Sequence, residues 1–438
     1  MRSKRPLKVA FYDPSGCGGI CQYTFLLAEA LARTGCDVTV IASENYELKH
    51  LSRGFKLRLL YKRSWLKMLL LKLIPQRPNQ DSSQTIARLN GQTTPETNNR
   101  VSVIKILQTI RLRITLLRAV IRLIWDGTQV IHCQWLADRN GDLFFIKLLK
   151  SLGFKIVYTA HDLLPHDSDT LENRRYYRNI YRLADRLVVH AENIRQEMIE
   201  LFQINPSKIW VISHGINILF SNESKTTARA RLEIPLDKKV ILFFGLIKPY
   251  KGLEYLLQAF GRIKEQIDSA LLVVAGRIAD EDQAMYAHYS RLLSQFAEGN
   301  PVKYVTDYIP FEQAGNFFSA ADVVVLPHVK PSQSGVLFAA IAAGKPVVVT
   351  DAGGLSEAVE NGRTGFVVPP RDTTAIAEAL IKVLQDPGVM ERMGREAKAL
   401  AETRYSWEGV AARTLRLYRS LTDPLSGELR NSQVVLPN

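Results

Sequence analysis

Two lysines, a cluster of small hydroxyl and glycine residues and a set of histidines hold the groups best able to do chemistry in this sequence. In "FFGLIKPYKGLEYLLQAF" (243–260) an apolar run ends at Gly245, and Lys248 and Lys251 sit in the loop that opens a helix. Two cations beside unsatisfied helix amides make a pyrophosphate site without a metal; the plainer alternative is two solvated loop lysines. "PSQSGVLFAAIAAGKPVVVTDAGG" (331–354) supplies the complementary half, with no acidic or basic side chain from Pro331 to Ala343. Ser332, Gln333 and Ser334 precede Gly335, where a helix is expected to start, so Ser334 and the amides of Gly335 and Val336 can hold phosphate oxygens. Ser334 as a simple N-cap, with Ala and Leu residues packing a core, accounts for the same letters.

A third candidate is "DPSGCGGICQYT" (13–24), where Gly16, Gly18 and Gly19 let a ligand approach the backbone ahead of a helix. Its order is G-x-G-G rather than GxGxxG, and it lacks a Lys-Ser/Thr ending, which argues against dinucleotide and P-loop sites. His161 follows "IVYTA", His190 and His214 end apolar runs, and His132 lies within one. A lone histidine is usually structural, but four near strand ends favour at least one polar-ligand contact. They show no HExxH or other compact metal spacing.

The elements that position these groups alternate. "LKVAFYD" (7–13), "DVTVIAS" (37–43), "QVIHCQW" (129–135), "FKIVYTAHD" (154–162), "RLVVHAE" (186–192) and "KIWVISHG" (208–215) are expected strands, with helical segments between them. The pattern restarts with "KKVILFFG" (238–245), "ALLVVAG" (270–276), "VKYVTDYI" (302–309), "DVVVLPH" (322–328), "PVVVTD" (346–351) and "TGFVVPP" (364–370). Alternating strands and helices predict two doubly wound α/β domains with mostly parallel sheets. Such domains bind ligands at the C-terminal strand ends, so a cleft lined by both is expected. The expected boundaries are 1–215, 216–405, a last helix over 406–421 and a disordered tail over 422–438; residues 76–100 are expected to be a mobile loop.

A chain of 438 residues with net charge +14 invites a nucleic-acid reading, but no recognisable nucleic-acid module is present. The excess base falls in 49–77 and 105–125, which contain no acid and interleave Lys and Arg with Leu, Ile, Trp and Met at roughly helical spacing. That pattern suits an amphipathic surface on anionic lipid, or else a packed helix with a solvated basic face. Four unpaired cysteines, no signal-peptide core and no apolar run long enough to span a bilayer predict a cytoplasmic protein, peripheral at most on the inner membrane face.

Taken together, "SGCGGICQYT", "VIHCQWL", "VYTAHDLLPHD", "FFGLIKPYKGLEYLL", "YIPFEQAGNFFSAADVVVLP" and "SQSGVLFAAIAAGKPVVVTDAGGLSEAVENGRTGFVVPPRD" resemble the GT-B retaining glycosyltransferases of family 4. The likeness runs from Lys8 to about Leu421, and "YSWEGVA" resembles the family's final helix, which crosses back to the N-terminal domain. It implies two Rossmann-like domains and transfer of a sugar from a nucleotide-diphosphate donor to an acceptor hydroxyl. It further implies retained configuration and neither metal nor cofactor. Lys248 and Lys251 then correspond to the cations that neutralise the departing diphosphate, with Leu246 standing where many members have Arg. His161 corresponds to the histidine that contacts the donor sugar, Gly18 and Gly19 to the glycine loop near the phosphate and sugar, and Glu357 to the acid of a "GGxxE" turn. No motif settles base and sugar discrimination, which is expected around Arg277, Tyr308 and Ser356. The departure is at Pro331 and Ala339, where most members carry glutamates; the "SQSGVL" wording resembles a branch without them. The expected partners are a nucleotide sugar and a carbohydrate or lipid-linked acceptor, in cell-surface polysaccharide or glycolipid synthesis. The competing readings are a non-catalytic nucleotide-sugar-binding subunit and a nucleotide-sugar epimerase.

Overall fold

The computed structural model describes residues 6–61, 113–136, 139–165, 169–217, 219, 223–279, 283–330 and 333–423. The loop at 76–100, most of 49–77, residues 105–112, Pro331, Ser332 and the tail from 424 lie outside them.

Two parallel sheets organise the chain. The first has seven strands: β1 (Lys8–Asp13), β2 (Asp37–Ser43), β3 (Lys56–Tyr61), β4 (Val130–Cys133), β5 (Lys155–Thr159), β6 (Arg186–Val189) and β7 (Ile209–Val211), in the order β3-β2-β1-β4-β5-β6-β7. The second has six: β8 (Lys239–Phe244), β9 (Ala270–Ala275), β10 (Val302–Val305), β11 (Val323–Leu326), β12 (Val347–Thr350) and β13 (Gly365–Val368), in the order β10-β9-β8-β11-β12-β13. Runs such as VVVL and VVVT, buried at every position, are what a sheet covered on both faces requires. In each sheet the order reverses once, between β1 and β4 and between β8 and β11. At such a reversal the crossover helices leave to opposite faces and open a crevice at the C-terminal strand ends.

Grouped by compactness, one unit comprises residues 1–159, 179–185 and 421–438, and the other 160–178 and 186–420. The last helix runs Trp407–Thr422; its Trp407 indole donates to Ile216 O at 2.6 Å, and Leu421 and Thr422 belong to the first unit. The core of the second unit includes Leu242, Val324, Leu337, Phe338, Ala340, Val349 and Ala397. A buried Arg229 ties its start together: the guanidinium donates to Asp322 at 2.8 Å and to the carbonyls of Ala320, Leu236 and Lys238.

Two basic stretches read together in the sequence diverge here. Residues 56–61 (KLRLLY) form the edge strand β3, not a helix, with Lys56 paired to Asp37 and Arg58 to Asp126. Alternating bases on an edge strand satisfy period-2 geometry and deter edge-to-edge pairing. Residues 113–125 are helical as the spacing predicts. "VKYVTDYI" yields a strand only to Val305.

Candidate functional site

The reversal of the second sheet, between β8 and β11, carries the two lysines after β8 and the start of the small-residue helix after β11. β8 ends at Phe244, and the chain turns through Gly245, whose φ of +107° few side-chain-bearing residues adopt. Lys248 precedes a single 3-10 turn, Pro249–Lys251, and Gly252 at φ +69° starts helix Leu253–Gln266. A Cβ on Gly252 would overlap the carbonyl of Pro327, just beyond β11, so glycine lets the helix start approach the chain past β11. The approach sets Lys251 Nζ 3.3 Å from His328 Nε2. Its ammonium lies over the Tyr250 ring, 5.0 Å from the centroid, and among the described residues it forms no ion pair. Burial lowers its pKa to about 8, with the Asp162 charge acting weakly the other way. A half-buried ammonium that is partly desolvated without gaining a paired carboxylate is poised for an anion.

Opposite it begins the helix Gly335–Ala342. Val336 packs against the Gly245 turn, its Cγ2 3.3 Å from where a Cβ on that glycine would lie. Ser334 occupies the N-cap position with no side-chain cap hydrogen bond; it is 3% exposed, and its Oγ is buried without a partner among the described residues. Gln333 Oε1 is likewise buried and unpartnered, while its amide nitrogen reaches Gly354 O at 3.4 Å. Unsatisfied buried polar atoms beside the bare amides of a helix start are costly unless a ligand meets them. Leu337 to Ile341 are buried in the core, so the helix is apolar because it is enclosed. Ala339 is 2% exposed, a place where an ionised carboxylate would cost several kcal/mol unless paired. Lys345, in the "GKPVV" stretch, is structural: its ammonium donates to Ser319 O and Ala321 O.

Three histidines follow adjacent strands: His161 after β5, His190 after β6 and His214 after β7. His190 Nε2 lies 3.3 Å from His161 Nδ1, and His190 Nδ1 lies 2.8 Å from Ile212 O. His214 stacks on Phe338 of the buried helix at 4.8 Å and 14°. Asp162 acts electrostatically on both His190 and Lys251.

The remaining expected residues stand as follows. Arg277 is exposed just past β9, its carbonyl accepting from Ile247 N at 2.9 Å, and Tyr308 is 50% exposed beyond β10. Glu357 caps helix Glu192–Phe202, its two carboxylate oxygens accepting from the amides of Glu192 at 2.9 Å and Asn193 at 2.7 Å. In the first unit, Gly18 at φ +78° opens helix Gly18–Arg33, and its amide donates to Glu47 Oε2 at 3.0 Å. Gly19 is exposed, with open space where a Cβ would point. Asp13 is wholly buried beside this loop, and desolvation raises its pKa despite hydrogen bonds from Ser15. His132 is a buried core residue bonded to Thr159 at 2.7 Å. Among the described residues, no three His, Cys, Asp or Glu side chains converge as metal ligands would.

Sequence reasoning missed His328, Asp162 and Glu47. For His328 a signal existed: it closes "VVVLPH", a strand adjoining the one that leads to the lysines. Glu47 carried none.

Residues 17–218 match the family described as Glycosyltransferase Family 4, and residues 224–400 match Glycosyl transferases group 1. The D-inositol 3-phosphate glycosyltransferase of Streptomyces scabiei is 32% identical over 294 residues, 66% of this chain and 65% of that protein. Its counterpart in Corynebacterium glutamicum is 31% identical over 305 residues, 66% of this chain and 71% of that protein. The match to the Streptomyces protein thus spans just under two thirds of that relative's length. Among solved structures, sucrose-phosphate synthase from Thermosynechococcus elongatus superposes with a TM-score of 0.71 at 21% identity, covering 95% of this chain and 99% of that one. Anabaena HepE in complex with UDP and glucose gives 0.69 at 18% identity, covering 94% and 100%.

Proposed function

The chain belongs to the family 4 glycosyltransferases of GT-B fold, and from that premise we propose that it moves a sugar from a nucleotide-diphosphate donor to an acceptor hydroxyl with retention of configuration. The observation that carries the reading is the half-buried Lys251, 3.3 Å from His328 and desolvated enough to lower its pKa to about 8, at the reversal of the second sheet. With Lys248, the Ser334 hydroxyl and the Gly335 and Val336 amides, it supplies a fixed positive field for a diphosphate. The bond from the sugar's anomeric carbon to the phosphate oxygen breaks, its electrons passing to the diphosphate. The acceptor oxygen attacks from the same face and gives its proton to a departing phosphate oxygen. Charge develops on the diphosphate, so preorganised cations and amides lower the barrier most there, and no metal or cofactor is assigned a part. His161 contacts the donor sugar. Arg277, Tyr308 and Ser356 surround the base and sugar.

Within the family we read "SQSGVL" as marking a branch that dispenses with the two glutamates. A lost ribose hydrogen bond costs donor affinity by at most a few kcal/mol, less than losing both lysines. The test is a thermal-shift screen of UDP-, GDP- and ADP-sugars followed by transfer assays. A bound donor at 100 times its dissociation constant stabilises by about 2.7 kcal/mol. No shift with any nucleotide sugar at millimolar concentration refutes the reading. Binding without hydrolysis or transfer, across several acceptors, moves it to a non-catalytic subunit.

The acceptor we propose is carbohydrate, lipid-linked or at a membrane surface, in cell-surface polysaccharide or glycolipid synthesis. Helix 113–125 supports that. Its Leu116, Ala119, Val120 and Leu123 are buried, while Ile114, Leu117, Ile121, Ile124 and Trp125 form a second, exposed apolar stripe flanked by Arg118 and Arg122. Trp125 is 77% exposed. Exposed apolar residues among bases suit an anionic lipid surface. No helix among the described residues is long and apolar enough to cross a membrane. Salt-sensitive binding to phosphatidylglycerol vesicles is expected; none at low salt removes the membrane proposal.

A further inference from the structure

The hydrogen bonds made by the three strand-end histidines have a direction fixed atom by atom. A carbonyl oxygen only accepts, so His190 Nδ1, facing Ile212 O at 2.8 Å, carries a hydrogen. His190 is 4% exposed, and burial holds its pKa at about 4, against small opposing effects of that carbonyl and Asp162. At neutral pH the ring therefore has one hydrogen, on Nδ1, and its Nε2 presents a lone pair. The atom 3.3 Å from that lone pair is His161 Nδ1, which must donate. His214 repeats the arrangement, with Nδ1 2.6 Å from Gly215 O and a pKa pushed to about 3 by burial and by His190. Its ring lies 5.4 Å from His190 and stacks on Phe338.

We propose that His190 is a positioning residue: anchored on the Ile212 carbonyl, it holds His161 as the Nδ1–H tautomer, so that His161 Nε2 meets the ligand as a hydrogen-bond acceptor for a sugar hydroxyl. A hydroxyl donates to such a nitrogen, whereas the other tautomer would place an N–H there and demand an acceptor. The chain of direction begins at a backbone carbonyl, which cannot reverse. Among the described residues, Asp162 acts on His190 and also on Lys251, and His190 acts on His214. The role of the ligand hydroxyl rests on the sugar-nucleotide reading above, but the tautomer does not.

The test separates the two. Full-length protein labelled with 15N-histidine is recorded at pH 7 by long-range 1H–15N correlation, which distinguishes Nδ1–H, Nε2–H and imidazolium rings directly. His161 and His190 are expected as neutral Nδ1–H rings. His190→Phe is expected to move His161 to Nε2–H and to raise the KM for an accepted donor about tenfold, the worth of one hydrogen bond. His190→Gln, whose side-chain oxygen can accept, is expected to restore both. A wild-type His161 found as Nε2–H or imidazolium overturns the proposal, whatever the variants do. So does an Nδ1–H His161 that persists in His190→Phe. Should no nucleotide sugar bind, the function reading fails while the spectrum still decides the tautomer.

Discussion

Donor binding should take up protons, in an amount that Lys251 dictates. Its pKa of about 8 lies below the ordinary lysine value of 10.5 because the ammonium is desolvated. At 1.36 kcal/mol per unit, holding that charge without an anion costs at most about 3 kcal/mol, less whatever residual water contact recovers. Because the folded-state pKa is depressed, this penalty is fully present below pH 8. It is relieved as pH rises from 8 toward 10.5. A diphosphate beside Nζ restores the pKa toward its unburied value, so binding at pH 8 should capture about half a proton. At pH 7 the uptake should be about 0.1 proton, and at pH 9 about 0.9. Affinity should accordingly be flat below pH 7 and fall up to tenfold per pH unit above 8. Calorimetric titration with an accepted nucleotide sugar, whose phosphates do not titrate in this range, measures the uptake when repeated in buffers of different ionisation enthalpy. Lys345 titrates in the same window, but its Nζ is held by Ser319 and Ala321 carbonyls and is not expected to respond. Lys251→Met should abolish the uptake, weaken binding and stabilise the unliganded protein at pH 7. Tight binding at pH 8–9 with no proton uptake would show that Lys251 does not meet the diphosphate.

Two substitutions separate fold from site. Ser334→Ala removes a buried hydroxyl that has no partner, so the unliganded melting temperature should hold or rise slightly while donor affinity falls about five- to tenfold; a large loss of stability would mean the hydroxyl is a structural cap. Gly252→Ala places a Cβ at positive φ against the Pro327 carbonyl and should cost about 2–4 kcal/mol in denaturant unfolding, with an unchanged stability refuting the close approach of the helix start at Gly252 to the chain past β11.

Legibility in the sequence followed burial. Strands covered on both faces, such as Val323–Leu326 and Val347–Thr350, announce themselves as continuous apolar runs. The edge strand Lys56–Tyr61 did not, because alternating bases and leucines also fit a helix over so short a stretch. Lys248, Lys251 and Ser334 were legible from their places after a strand and before a helix, since backbone amides at such ends are available whatever the fold. The partners of those residues were not. His328 lies 77 positions from Lys251, and Glu357 lies 165 from the helix start at Glu192 that it caps.

The sequence by itself therefore determined the α/β class, the resemblance to family 4 and the candidate side chains proposed to meet a diphosphate, because periodicity, glycine turns and charge are local properties. Strand order, the pairing of β8 with β11 and the partial burial that desolvates Lys251 were decided only by the tertiary structure. The same holds for His161. Its place after a strand is written in the chain, but which of its nitrogens carries the hydrogen follows, on the proposal above, from a carbonyl 51 residues away, through a histidine just past the neighbouring strand.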